Sequence, residues 1–101
     1  MNNTQNIINS MHEGKKESIL SGISSDIPIV VLNAILAGTR ISLHDKGFLD
    51  GVRAAEKNHV DTMLGIPLSK FATASLHLLG IKEYTGTDSE IKKMIELKFE
   101  L

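Results

Sequence analysis

The sequence predicts an all-α fold, a short helical solenoid of about five helices forming one domain over residues 1–101, and three observations carry that expectation. Ile27-Pro28 opens an apolar run that stops at Gly38, and Ile66-Pro67 opens another that stops at Gly80. Proline near the first turn and glycine just past the last are the start and stop chemistry of a helix. The two prolines lie roughly 40 residues apart, the period of a two-helix repeat unit. Neither an alternating strand pattern nor a hairpin dipeptide separates the apolar runs, which argues against a sheet.

Taken in order, Ile7, Ile8, Met11, Ile19, Leu20 and Ile23 recur at helical spacing, with Gly14 a break or weak point between two short helices. Ser24, Ser25 and Asp26 offer side-chain oxygens for capping ahead of Pro28. The run Ile29 to Ala37 is apolar all round except at Asn33. Its β-branched residues also suit a buried strand, but the proline start, the glycine stop and the length favour helix. Thr39 to Lys46 reads as a loop. Phe48, Leu49, Val52, Ala55, Val60, Met63 and Leu64 give a further helix that Asn58 and His59 interrupt and Gly65 ends. Leu68, Phe71, Ala72, Ser75, Leu76 and Leu79 then mark the clearest amphipathic helix, with Lys70, Thr73 and His77 on another stripe. Thr87 and Glu90 stand as a capping box before a terminal helix through Ile91, Met94 and Ile95. In a solenoid the inner helices are packed from both sides, so the two Ile-Pro helices are expected inside, with Ala34 and Ala72 at close-packed positions.

With 11 basic and 12 acidic side chains the formal charge is −1, which supplies no long-range attraction to nucleic acid or anionic lipid. The absence of cysteine excludes disulfides and thiolate chemistry and fits a reducing compartment. The N-terminal residues lack the basic and apolar regions of a secretory signal, and Ile27 to Ala37 is about half the length that spans a bilayer. A soluble, cytoplasmic protein is the expectation, with no membrane partner.

Asp26-Ile27-Pro28 through Ala34 and Ala37-Gly38, and Ile66-Pro67 with Lys70, Ala72, Ser75-Leu76 and Leu79-Gly80, resemble the second helices of HEAT repeats, where a proline, a basic residue and small residues recur in that order. The resemblance covers about Glu17 to Gly80, although Val31 stands in the first copy where a basic residue is usual. Leu64-Gly65-Ile66-Pro67 through Leu78-Leu79-Gly80-Ile81-Lys82-Glu83-Tyr84-Thr85-Gly86 is further similar to the C-terminal part of small HEAT-like immunity proteins, the antidotes encoded beside bacterial polymorphic toxins. That resemblance implies a non-catalytic binding module whose protein partner is a cognate toxin.

Chemistry-bearing residues are sparse. His44-Asp45, with His12 upstream and Asp61 or Asp88 downstream, has the residue types of an HD-type metal phosphohydrolase, yet His44 falls in a loop and Asp45 is well placed to cap a helix opening at Lys46. No histidine pair has i, i+4 spacing for zinc, and His59 and His77 read as surface residues. The glycines form no phosphate-binding pattern. A helix-turn-helix regulator needs a recognition helix rich in polar and basic residues, whereas Leu68 to Leu79 offers only Lys70 and His77. The expectation is therefore no enzyme activity, no cofactor and no metal. Lys70, Thr73 and His77, with Asn33 nearby, form the candidate partner-binding stripe, against the alternative of an ordinary solvated face. A generic adaptor is the competing binding role, and an uncapped apolar inner helix would allow a homodimer.

Overall fold

The computed structural model describes residues 3–99. Helix α1 (Asn3–His12) and helix α2 (Lys16–Ile23) are separated at Gly14, which has a φ of +83°. Helix α3 (Pro28–Arg40) begins on its proline, where the missing N–H leaves no bond unmade. The Ser25 hydroxyl accepts the Ile27 amide at 3.0 Å in the preceding turn, and no side chain caps the helix itself, so the capping expected of Ser24, Ser25 and Asp26 is reduced to that one bond.

Gly38 does not stop α3. The helix runs two residues beyond it, and Gly38 is a packing position: a Cβ there would lie within 3.0 Å of three atoms of the fully buried Phe48 ring. Helix α4 (Lys46–Ala55) is capped as expected, the Asp45 carboxylate accepting the Gly47 amide at 2.9 Å. It ends well short of Leu64. The Asn58 side-chain oxygen accepts the amides of Val60 and Asp61 at 3.2 and 2.9 Å, an alternative to helical bonding that asparagine offers readily.

Strands β1 (Thr62–Met63) and β2 (Ile66–Pro67) follow, pairing antiparallel as Thr62 with Pro67 and Met63 with Ile66. The connection Leu64-Gly65 has positive φ at both residues, 56° and 79°, the requirement of a two-residue type I′ hairpin turn. The expectation of no hairpin is thus corrected, and Gly65 ends a turn rather than a helix. Helix α5 (Leu68–Leu78) has Pro67 at its cap position, one place earlier than Pro28 in α3, and takes its first bonds from the preceding loop. The Leu68 and Ser69 amides donate to the Asp61 and Asn58 carbonyls, each at 2.9 Å. It stops at Gly80 as expected. There φ is +76°, the Gly80 amide bonds the His77 carbonyl at 3.0 Å, and the Ile81 amide bonds the Leu76 carbonyl at 2.9 Å, the paired bonds of a glycine-terminated helix. Helix α6 (Ser89–Leu97) is capped by Asp88, which accepts the Glu90 and Ile91 amides, and not by the expected Thr87.

Among the described residues there are six helices and one short hairpin, so the all-α class holds with one helix more than about five. Helix α2 packs on α3 and α4 on α5; α2 also meets α4, and α3 meets α5. Helix α1 lies against α2 and α3, and α6 lies against α5. The molecule measures 42 × 27 × 23 Å. The two Ile-Pro helices are the most buried, and Ala34 and Ala72 are wholly excluded from solvent, as the pattern required. Polarity enters this seam at one point. Thr39 Oγ1 and Ser75 Oγ lie 2.6 Å apart, and because Thr39 also donates to the Ile35 carbonyl at 2.6 Å, Ser75 is the donor of the pair.

Helix α6 covers α5 with Ile91 and Met94, both buried, while Phe99 sets its ring 6.5 Å from that of Phe71. Uncovering α5 forfeits about 2 kcal/mol for each buried side chain, with a further share from partly buried Ile95 and Phe99, roughly 5 kcal/mol together. Deletion of residues 88–101 is therefore expected to lower the melting temperature sharply or to cause aggregation. A truncated protein melting at the full-length temperature would place α6 outside the core.

Candidate functional site

The stripe on α5 is not an open solvated face, because each of its three side chains is half-buried and makes a polar bond within the chain. Lys70, with a side chain 25% exposed, holds Glu90 at 2.6 Å and Asp88 at 2.9 Å and so ties α5 to the start of α6. These hydrogen bonds, Glu90's first, raise the lysine's pKa, and the bond from Lys70 together with the amides at the helix start lowers that of Asp88. Thr73 donates to Glu56 at 3.0 Å, and the same carboxylate oxygen receives Lys82 at 2.7 Å, which joins the end of α4 to α5 and the following segment. His77 accepts the Tyr84 amide on Nδ1 at 3.0 Å, and the Tyr84 hydroxyl in turn accepts the Asp88 amide at 2.9 Å. Read from the sequence as a surface residue, His77 is instead a half-buried anchor for the 82–88 segment.

Asn33 bonds to a different element. Its amide donates to the Ile29 carbonyl at 2.8 Å, which turns its oxygen toward His12 Nε2 at 2.7 Å. Arg40, which can only donate, lies 3.3 Å from His12 Nδ1. The proton of His12 therefore sits on Nε2, and the line Arg40–His12–Asn33 fastens α1 to α3.

The residues considered for metal chemistry are likewise committed. His44 places Nδ1 2.8 Å from the Ser42 carbonyl and Nε2 2.7 Å from the Leu79 carbonyl. Carbonyl oxygens accept only, so both ring nitrogens must carry protons for both bonds to form, and these bonds raise the pKa above its ordinary 6.5. A histidine in that state has no lone pair for a metal. Asp45 is taken up by the Gly47 amide and by Lys16 at 3.4 Å, and its pKa is lowered by the amide first. Among the described residues no three histidine or acidic side chains are grouped closely enough to hold an ion.

His44 links the loop before α4 to the end of α5, and because its pKa is raised the linkage has a definite sign. A folded-state pKa above the unfolded value gives stability that is complete below about pH 6.5 and is lost as pH rises through the folded value. The melting-temperature difference between the parent and His44→Gln is therefore expected to be largest near pH 6 and to shrink as pH is raised. An unchanged pH dependence in the variant would show that the bonds do not require the imidazolium.

Two concavities stand out among the described residues. A depression of about 410 Å³ lies at the C-terminal ends of α3, α5 and α6, floored by Leu36, Leu78 and Phe99 with Arg40 and Lys98 at its rim. Cations there offset the negative ends of the converging helices, a structural role that opposes an anionic ligand rather than inviting one. A smaller cleft of about 230 Å³ opens between the α2–α3 turn and the segment linking α4 to the hairpin. Its lining is mixed: buried Ile23, Val31, Ala55 and Leu68 and half-buried Pro28 contribute the apolar part, and Asp26, Asn58 and Asp61 stand among the polar groups. Asn58 donates to the Asp61 carboxylate at 2.9 Å. These residues come from four separate stretches, so no local motif marked the cleft; Asp26 reads as a cap in the sequence and Asn58 as an interruption.

The chain matches no protein-family model, and neither a curated protein nor a solved structure matches it significantly. No helix among the described residues is long and apolar enough to cross a membrane.

Proposed function

We propose that this chain is a non-catalytic binding module built as two stacked HEAT-like helix hairpins, and that it is an immunity protein holding a cognate bacterial toxin inactive in the cytoplasm. The observation that carries the reading is the packing order. Helix α2 pairs with α3 and α4 with α5, and the second helices of the two pairs lie against each other, which is what a repeat stack requires. The likeness of Leu64 to Gly86 to small immunity proteins supplies the partner class. Lys70, Thr73 and His77 serve this function by holding α6 and the 82–88 segment in place on α5, and Asn33 does the same for α1. A scaffold so cross-tied loses little freedom on docking, which favours a tight stoichiometric block.

Coexpression tests it. A toxic domain encoded by the adjacent gene should kill cells alone, spare them when this chain is present, and coelute with it on gel filtration. Killing that is unaffected by the chain, with no complex formed, would rule out immunity.

A further inference from the structure

The cleft between the α2–α3 turn and the α4–hairpin segment combines three properties. The first concerns charge. Five described carboxylates are half-buried, namely Asp45, Glu56, Asp61, Asp88 and Glu90, and four of them are paired with a lysine. Asp61 has only the Asn58 amide, and none of the described ion pairs includes it or neighbouring Asp26. Half-buried Asp61 thus lacks the lysine that the other four have, and exposed Asp26 lines the same cleft, so an external cation can supply the missing counter-charge to both.

The second property is size. About 230 Å³ is below the range of roughly 300–1,000 Å³ typical of small-molecule and cofactor pockets, and it suits a single long side chain. The third is the margin. Ile27 and Val60 sit in the two turns that border the cleft and are 44% and 87% exposed. A shallow cleft with acidic groups in a mixed lining and exposed aliphatics in its bordering turns has the make-up of a protein-interface hot spot.

We infer that this cleft docks a basic side chain, arginine in preference to lysine, projecting from a protein partner, with its methylenes against Pro28 and its guanidinium between Asp26 and Asp61. Arginine fits because its stem covers apolar surface while its planar head bonds carboxylates through two nitrogens at once. Ile27 and Val60 then pack on the partner's surface around the anchor. The inference rests on the binding-module reading and adds the surface and the chemistry of the contact. The loop carrying Asn58 and Asp61 is already fixed by its bonds to the Leu68 and Ser69 amides, so the receptor side needs little ordering.

The test uses the full chain, ¹⁵N-labelled, titrated with acetyl-Leu-Arg-Leu-amide and with the same peptide carrying citrulline, which keeps the shape and removes the charge. Saturable shifts centred on Gly51, Ala54, Asn58 and Asp61 are expected, with the citrulline peptide about tenfold weaker. Asp26→Asn and Asp61→Asn should each abolish the preference for arginine, and the same spectra report whether each variant is folded; Asp26 makes no described side-chain bond, so its replacement leaves the scaffold intact. Equal binding of both peptides, shifts centred on another face, or concentration-dependent shifts of these amides without peptide, as a second copy seated in the cleft would give, each overturns the assignment. Once a toxin partner is in hand, a complex that forms with undiminished affinity in the Asp26→Asn, Asp61→Asn double variant overturns the docking surface and leaves the binding-module reading standing.

Discussion

Replacing Ala72 by glutamate will lower stability by roughly 4 kcal/mol, enough to unfold much of a small domain whose total stability is of order 5–15 kcal/mol. Ala72 is wholly buried on α5, the helix that meets α3, α4 and α6. A longer side chain must displace packed neighbours, and a carboxylate there meets no counter-charge in its surroundings of buried Leu68, Phe71 and Leu76. The substitution either charges the core or forces protonation, and both cost free energy. A fall in melting temperature on the order of 20 °C is expected for a chain of this size. Ala72→Ser, which changes volume little, should cost far less. If the glutamate variant melts with the parent, α5 is not central.

Gly38→Ala tests a sign as well as a magnitude. Alanine in place of glycine inside an exposed helix gains up to about 1 kcal/mol from propensity. At Gly38 the added methyl meets the outer atoms of the Phe48 ring, and Phe48 is wholly buried and has nowhere to turn. Overpacking of this kind costs about 1–3 kcal/mol, so the net effect is a loss of about 1 kcal/mol. The colliding atoms are those that leucine lacks. Phe48→Leu should therefore be less harmful in the Gly38→Ala background than alone, with a coupling of about 1 kcal/mol or more in a double-mutant cycle. Strict additivity would mean that the two side chains do not meet.

The parts of the fold that the sequence disclosed are those where one residue type has one dominant use. Pro28 at a helix start, Asp45 before Lys46, and Gly80 after Leu79 each do what their chemistry favours, and each marks a boundary correctly. Gly38 misled because a glycine after an apolar run has two common uses, stopping a helix or admitting a neighbour's ring, and only the position of Phe48 decides between them. The hairpin was invisible for a different reason. Its turn puts leucine at position 64 in the left-handed region, where glycine, asparagine or aspartate would have announced it. Thr87 and Asp88 are both good caps, and backbone geometry chose the second. The stripe on α5 was found by periodicity, but its commitments to Glu56, Tyr84, Asp88 and Glu90 depend on how distant segments return to it. The acidic cleft is still less legible, since its walls join residues from Ile23 to Leu68 through tertiary packing alone.

The Thr39–Ser75 bond bears on how the two helix pairs find their alignment. An apolar seam between α3 and α5 offers similar burial at several offsets, because alanines, leucines and valines interchange with little penalty. A shift of α5 by one turn, about 5.4 Å, would carry the Ser75 hydroxyl away from Thr39 and into hydrocarbon, where an unsatisfied buried hydroxyl costs about 1–3 kcal/mol. One hydrogen bond thus separates the native alignment from its nearest slipped neighbours by a factor of roughly ten to a hundred in population. It acts as a latch on the stacking register, so that the turns flanking the acidic cleft, one on each helix pair, face each other at a single spacing.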